Sequence, residues 1–228
     1  MNVEHIEKSI ANAELGISKL PQAILGLEGM SSPKVRNFLN NICDYHRVLN
    51  YLEVGVWRGS TFCAAIYNNK LNNAISIDNF SEFEKNRVPN TNIIKQEIPI
   101  RDNFIYNVVQ SMLWSKTRPQ NVNSYNEDCF NIDLNKLPIF DIYLYDGGHK
   151  EEDQYNAFKY FDSKFNKRFI AIVDDWNYKE AKDGTKRAFS ELNYNIIQDW
   201  ELPGDQSTLD KANENWWNGY YIALIEKP

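Results

Sequence analysis

Short apolar runs alternate with helix-like stretches along most of this chain, and this alternation constrains its fold more than any other feature. The runs that are typical of strands lie at residues 48–56, 74–78, 122–125, 140–146, 169–174, 196–202 and 219–226. The stretches with helical spacing include residues 60–69, 102–114, 151–165 and 179–192. Such alternation predicts βαβ units, and therefore an α/β fold with a mainly parallel sheet covered by helices on both faces.

The two ends of the chain depart from this pattern. Residues 1–47 show helical pieces, including 33–45 after Ser31-Ser32-Pro33, so we expect a helical N-terminal extension packed on the core. Residues 48–228 then form the rest of a single domain. No helix is predicted between the last two strands, which favours an antiparallel last strand.

Two connections, at residues 79–121 and 203–218, are longer than the fold requires. Connections of that length are usually functional or disordered, so we expect them to shape a substrate pocket. The second contains the pair Trp216-Trp217. The sequence leaves three interpretations of these two rings open: packing on the domain, a wall over the substrate, and an oligomer contact. A homodimer through the helical N-terminal extension is a separate possibility.

Composition excludes several classes of protein. The chain has 25 Lys and Arg against 31 Asp and Glu, a formal net charge of −6, which disfavours a nucleic-acid partner. No run approaches the roughly 18 apolar residues of a membrane span, and the first residues lack a secretion signal. Three widely spaced cysteines, Cys43, Cys63 and Cys129, are typical of reduced thiols, so we expect a cytoplasmic protein without a membrane partner.

The first strand ends in a glycine-containing turn that opens a helix. Gly55 allows a tight turn and a close approach of the backbone to a ligand. Gly59, Ser60 and Thr61 begin the next helix, whose free N–H groups suit an anion such as a carboxylate. The second strand ends in Asp78, which is suited to accept hydrogen bonds from a ribose. Together these features favour a nucleoside-type cofactor.

An acidic residue also follows the third strand. Asp128 is placed to accept a hydrogen bond from an adenine amino group, or to cap the next helix, and the sequence leaves both interpretations open.

The strongest cluster follows the fourth and fifth strands. Asp146 ends one strand and Asp174-Asp175 end the other, so parallel pairing brings the three carboxylates to one edge. Their mutual repulsion is relieved by a hard divalent cation, and oxygen ligands favour Mg²⁺, Mn²⁺ or Ca²⁺. His149, three residues after Asp146, is a candidate general base, although a structural role is equally open.

These motifs, in this order, resemble those of class I S-adenosylmethionine-dependent methyltransferases. Glu53-x-Gly55-x-x-x-Gly59-x-Thr61, followed by Asp78, is similar to motif I and the ribose-binding acid of that family. The variant is the one seen in catechol-type O-methyltransferases and in the macrocin O-methyltransferase and cephalosporin-hydroxylase-like groups.

The acidic cluster extends the resemblance. Asp146-Gly-Gly-His149 with Asp174-Asp175 looks like the metal-binding signature of those groups. The resemblance covers roughly residues 48–200. It implies a Rossmann-like sheet of seven strands, one of them antiparallel.

The resemblance also implies roles for individual residues. The methionine portion of S-adenosylmethionine would be lined by Glu53, Gly55, Gly59 and Thr61, with Ser60 beside them. Asp78 would hold the ribose and Asp128 the adenine edge.

The resemblance also implies which residues take part in metal binding and in the reaction. Asp146, Asp174 and Asp175 would bind Mg²⁺, and Asp146 would serve the cofactor and the reaction as well. His149 stands where the catechol enzymes have a lysine base, and Asp175 stands where they have an amide. Both departures argue against a catechol acceptor and fit the sugar-modifying group better.

The expected function is therefore Mg²⁺-dependent O-methylation of a small hydroxylated molecule, either a sugar-containing compound or a vicinal diol. An NAD-dependent oxidoreductase is the first alternative, although its G-x-G-x-x-G turn is tighter than the glycine spacing here. A non-catalytic module that binds S-adenosylmethionine is the second. A nucleic-acid methyltransferase is disfavoured, because an Asn/Asp-Pro-Pro-aromatic loop is absent after the fourth strand.

Overall fold

The structure, a computed structural model, describes residues 1–81 and 98–228. Its strands are β1 (Leu49–Val54), β2 (Leu71–Ile77), β3 (Asn121–Tyr125), β4 (Phe140–Tyr145), β5 (Phe165–Val173), β6 (Asn195–Leu202) and β7 (Tyr220–Glu226). They form one sheet in the order β3-β2-β1-β4-β5-β7-β6. The pairs among β1 to β5 are parallel, and β7 runs antiparallel to both β5 and β6. The predicted α/β fold, with seven strands and an antiparallel last strand, is confirmed.

Helices cover both faces of this sheet. They are α1 (Val3–Glu14), α2 (Gln22–Leu25), α3 (Pro33–Cys43), α4 (Ser60–Ile66), α5 (Ile100–Trp114), α6 (Glu151–Phe161), α7 (Lys179–Glu191) and α8 (Leu209–Glu214). One apolar core contains side chains of α1, α3, α4 and α5. The other contains side chains of α6 and α7. Within the described ranges, no helix combines the length and apolar character that crossing a membrane requires.

The helices before β1 share the first of these cores. Ile6, Ile24 and Phe38 are fully or almost fully buried in it. α3 begins as its sequence predicts, because the Ser32 hydroxyl accepts a hydrogen bond from the Val35 N–H at 3.2 Å and proline occupies the first turn.

The prediction for the connection between β6 and β7 is wrong in one respect. A short helix, α8, lies within it, and Thr208 caps this helix by accepting a hydrogen bond from the Lys211 N–H. Six residues are too few to show a helical period, since Ala212 is its only buried residue. The other long connection, residues 79–121, contains α5, and its residues 82–97 lie outside the described ranges.

The strand order places the site. From β1 the chain moves outward to β2 and β3, and it then returns to lay β4 and β5 on the other side of β1. Ligands of such sheets bind beyond the carboxyl ends of the strands at this reversal. Gly55 and Asp146 directly follow β1 and β4, so both lie at that point.

Candidate active site

Gly55 lies where the turn after β1 packs against the turn after β4. Its φ is +85°, and a Cβ at this position would lie 1.8 Å from the carbonyl oxygen of Asp146. Only glycine fits that conformation and that space. The group that closely approaches Gly55 is therefore the backbone of Asp146, which joins the turn after β1 to the turn after β4.

Glu53 is completely buried beneath the turn after β1. Its two carboxylate oxygens accept hydrogen bonds from the hydroxyls of Thr61 and Tyr51, each at 2.5 Å. Burial raises the pKa of the Glu53 carboxyl to about 7. Glu53 thus fastens the first turn of α4 to β1, and both of its oxygens face protein hydroxyls.

The start of α4 is covered by residues 25–31, which run from the last residue of α2 towards α3 and which we call the cover segment. The Ser60 hydroxyl lies 3.2 Å from that of Ser31, and a Cβ on Gly29 would lie 1.9 Å from Ser60 Oγ. Gly59 makes the turn into the helix with φ +83°. Ser60 and Thr61, at the helix start that the sequence predicts to suit an anion, are buried, and their hydroxyls contact that of Ser31 and the carboxylate of Glu53.

Arg36 on α3 holds the cover segment in place. Its guanidinium donates hydrogen bonds to the backbone carbonyls of Leu25, Leu27, Gly29 and Ser31, and to the Ser31 hydroxyl. Burial lowers the pKa of Arg36 to about 10. A guanidinium is planar and has five N–H donors, so it can bind several backbone carbonyls that surround it.

Asp78, at the end of β2, is half-buried and organises the same turn. One carboxylate oxygen accepts hydrogen bonds from the N–H groups of Val56 and Trp57, each at 2.8 Å. The other accepts from the Phe80 N–H at 2.7 Å. The carboxylate of Asp78, for which the resemblance implies ribose binding, therefore fixes the loop after Gly55.

Asp128 follows β3 along the same edge of the sheet and is exposed. Its carboxylate accepts a hydrogen bond from the Phe130 N–H at 2.8 Å, which closes a turn. The segment after it is a turn and not the helix that the capping interpretation requires.

The three predicted metal ligands do converge. Asp146, Asp174 and Asp175 each offer a carboxylate oxygen, and these oxygens lie within 4.8 Å of one another. Tyr145 and Val173 are paired across β4 and β5, which sets the acids that follow them side by side. Burial and the neighbouring carboxylates raise the pKa of Asp146 well above its usual range and that of Asp174 to about 8.

Two neighbours hold Asp175, whose backbone has φ +57°. His149 Nδ1 lies 2.9 Å from one carboxylate oxygen, and the Asn218 side-chain amide donates to the other at 2.7 Å. The sequence prediction included His149 but missed Asn218. The one feature of the sequence that could have pointed to Asn218 is its position beside the tryptophan pair in a long connection.

A narrow cleft joins these parts. It is lined by Met30, Ser31, Gly55, Val56, Trp57, Ser60, Thr61 and Asp146. Its volume is about 20 Å³. Asp146 therefore belongs both to the cleft beside Gly55 and to the acid cluster.

The fold with these features occurs in solved methyltransferases. The O-methyltransferase of Bacillus cereus, in complex with SAH, has a TM-score of 0.51 at 11% identity, over 99% of this chain and 92% of that one. This is a methyltransferase fold. TomG of Streptomyces achromogenes, an O-methyltransferase involved in tomaymycin synthesis and solved with SAM, has a TM-score of 0.52 at 14% identity, over 99% and 91%.

A third match is longer than this chain. It is a proposed SAM-dependent methyltransferase from Streptococcus mutans, with a TM-score of 0.53 at 12% identity over 85% of this chain. The chain spans 48% of the length of that protein. No protein-family model and no curated protein sequence matches the chain.

Proposed function

We propose that this chain is an S-adenosylmethionine-dependent O-methyltransferase that requires a divalent cation and acts on a hydroxyl of a small molecule, sugar-containing or with a vicinal diol. The observation that carries the proposal is the position of Asp146. It belongs to the acid cluster, and it also lines the cleft beside Gly55. A cation and a cofactor bound at these places would be neighbours.

The acid cluster has the donors that a hard cation needs. Asp174 and Asp175 are only 5% and 9% exposed, and three converging carboxylates repel one another without a counter-charge. Oδ1 of Asp174 is buried and has no hydrogen-bond partner among the described residues. The residues that would hold Mg²⁺ are therefore Asp146, Asp174 and Asp175.

The cleft has the acceptor and the donors that the amino-acid end of S-adenosylmethionine needs. Asp146 supplies a carboxylate for the ammonium group, and Ser31 and Ser60 supply hydroxyls for the carboxylate. Its volume of about 20 Å³ is close to that of one water site, so the wall that includes Met30 and Trp57 must move outward for the cofactor to enter.

The chemistry follows from these groups. The cation, when bound, would lower the pKa of the acceptor hydroxyl, and the cofactor would supply an activated methyl group on sulfur. His149 would accept the hydroxyl proton at Nε2, because Asp175 holds Nδ1. The O–CH₃ bond would form as the S–CH₃ bond breaks, with the two reactants aligned by the cleft and the cluster.

Calorimetry with SAH and NAD⁺ on the same protein is the first test. We expect SAH to bind and NAD⁺ not to bind. Tight binding of NAD⁺ alone would support the oxidoreductase alternative. SAH binding without methyl transfer to any hydroxylated acceptor would support a binding module without catalytic activity.

The metal is tested with Asp174→Ala. This variant should lose Mg²⁺-dependent turnover and keep most of its SAH affinity. Asp183→Ala is the matched control, since Asp183 is an acid on α7 that pairs with Lys179. Full, chelator-resistant activity in Asp174→Ala would show that the metal assignment is wrong.

A further inference from the structure

A cavity of about 290 Å³ lies between the cover segment and the connection from β6 to β7. Its apolar lining includes Leu25, Leu27, Leu209 and Trp217. Ser31 lines this cavity and also the cleft that contains Asp146. The two spaces therefore share Ser31 as a wall residue, and the second of them contains Asp146 of the proposed reaction centre.

The two rings of the tryptophan pair have different environments. Trp216 is 3% exposed, packs edge-on against Phe38, and donates its indole N–H to Glu14 at 2.7 Å. Trp217 is half-buried and lines the cavity. Packing thus accounts for Trp216, whereas Trp217 presents an aromatic surface to the cavity.

The backbone fixes the direction of Trp217. Its φ is +54°, which is rare for a bulky residue. A Cβ on Gly204 would lie 2.1 Å from the Trp217 carbonyl oxygen, so the two segments are tightly packed there. Gly219 closes the turn by donating to the carbonyl of Trp216 at 2.8 Å. Strain that surrounding structure imposes in this way is typical of functional positions.

Trp217 is also tied to the acid cluster along the chain. The next residue, Asn218, donates to Asp175 at 2.7 Å. One short stretch therefore contributes a wall of the cavity and a support of the cluster. A molecule in the cavity would lie beside Ser31, which also lines the cleft, and beside Trp217, whose neighbour in the chain supports Asp175.

The polar groups of the cavity are suited to a hydroxylated ring. Arg36 lines it, but its five N–H groups already donate to the cover segment. The exposed Asn213 amide and the Glu28 carboxylate, which is 3.6 Å from Arg58, also line the cavity. Both groups can hydrogen-bond hydroxyls, and the volume is at the lower end of ligand pockets.

From these observations we infer that the cavity binds the methyl acceptor and that Trp217 determines its specificity, with a single neutral pyranose ring lying against the indole. The inference rests on the proposed function, because it takes the neighbouring acids and cleft as the reaction centre. An aromatic face packs on the C–H face of such a ring, while adjacent hydroxyls remain available to a cation.

Indole N–H spectra of the ¹⁵N-labelled protein, with Mg²⁺ and SAH present, test this inference. The probes are the methyl glycosides of glucose, galactose, mannose and rhamnose, with catechol as the competing ring. The chain has six tryptophans, and Trp217→Phe and Trp216→Phe identify the two resonances of interest. We expect at least one glycoside to shift the Trp217 resonance saturably and to leave that of Trp216 in place.

Substitution gives the second readout. Trp217→Ala should weaken glycoside binding by about ten-fold or more, and Trp217→Phe by less, because a smaller aromatic face remains. Trp216→Phe should bind the glycoside as the wild type does. Asn213→Ala, on the exposed side of α8, should lower the affinity for the glycoside several-fold. This variant tests the cavity even if the Trp217 variants fail to fold.

Three results would overturn the inference. They are a Trp217 resonance that no glycoside shifts, an unchanged affinity in Trp217→Ala, and a shift of Trp217 by catechol alone. SAH binding is measured on the same samples. Failure of the wild type to bind SAH counts against the proposed function, whereas an unresponsive Trp217 in a protein that binds SAH counts against the cavity alone.

Discussion

Asn218 donates a hydrogen bond from its side-chain amide to a carboxylate oxygen of Asp175, with 2.7 Å between the two atoms. Both residues are buried, and they come from turns at the ends of neighbouring antiparallel strands, β5 and β7. Asp175 also contacts His149 through its other oxygen. The orientation of this carboxylate is therefore fixed by the protein itself.

Loss of that hydrogen bond should weaken cation binding. We expect Asn218→Ala to lower the affinity for Mn²⁺ or Mg²⁺ by roughly 10–100-fold, because groups that orient a ligand affect metal affinity to that extent. Calorimetric titration measures it. Asn215→Ala is the control, since the Asn215 amide donates to the Lys211 carbonyl. Equal affinities in the two variants would contradict the prediction.

Gly55→Ala should destabilise the protein severely. The added Cβ would lie 1.8 Å from the Asp146 carbonyl oxygen, in a backbone with φ +85°. We expect a loss of more than about 3 kcal/mol in the free energy of unfolding, measured in urea. Gly16→Ala is a matched control with φ +68° and no atom within 4 Å, and it should lose only about 1–2 kcal/mol.

Glu53 should make stability depend on pH. Burial raises its pKa from 4.5 to about 7, so the folded protein holds a proton that the unfolded chain has lost in this interval. The free energy of unfolding contributed by this group is therefore highest below about pH 4.5 and falls as pH rises towards 7. The total fall is at most about 3 kcal/mol for a shift of this size.

Glu53→Gln removes this titration. As pH rises from about 5 to about 8, the free energy of unfolding of the wild type, measured in urea, should fall relative to that of Glu53→Gln. Thr61→Val removes a hydroxyl that lowers the pKa of folded Glu53, so the fall should still begin near pH 4.5 but extend to higher pH. Parallel stability curves for Glu53→Gln and the wild type would contradict the assignment.

Arg36→Lys should destabilise the cover segment, although it keeps the charge. A lysine ammonium has three donors and no planar fork, so it leaves carbonyls without partners, at a cost of roughly 2–3 kcal/mol. Limited proteolysis within residues 25–31 and urea unfolding measure the effect. Arg47→Lys, where the arginine is half-exposed and 3.8 Å from Asp141, should change stability by less than about 1 kcal/mol.

The sequence predicted the sheet well because its central strands carry a strong apolar signal. Runs such as Phe140–Tyr145 are buried along their whole length, as parallel strands covered on both faces must be. The acids of the cluster were also predictable, because the ends of neighbouring parallel strands lie at one edge of the sheet. Helix α8 was missed because one buried residue, Ala212, gives no period.

The sequence could not show how the site is closed. Contacts such as that of Gly29 with Ser60 join segments 31 residues apart and depend on tertiary packing. The same holds for Asn218, whose role depends on the antiparallel pairing of β7 with β5. The two tryptophans of the pair likewise have the same local sequence signal, and only the fold separates the core ring from the cavity ring.

The cover segment forms part of the wall of both the cleft and the 290 Å³ cavity, and Arg36 secures it as one unit. A displacement that admits one ligand therefore also changes the space offered to the other. We expect linkage between the two binding equilibria. Whatever factor the cofactor applies to the affinity for the acceptor, the acceptor must apply to the affinity for the cofactor.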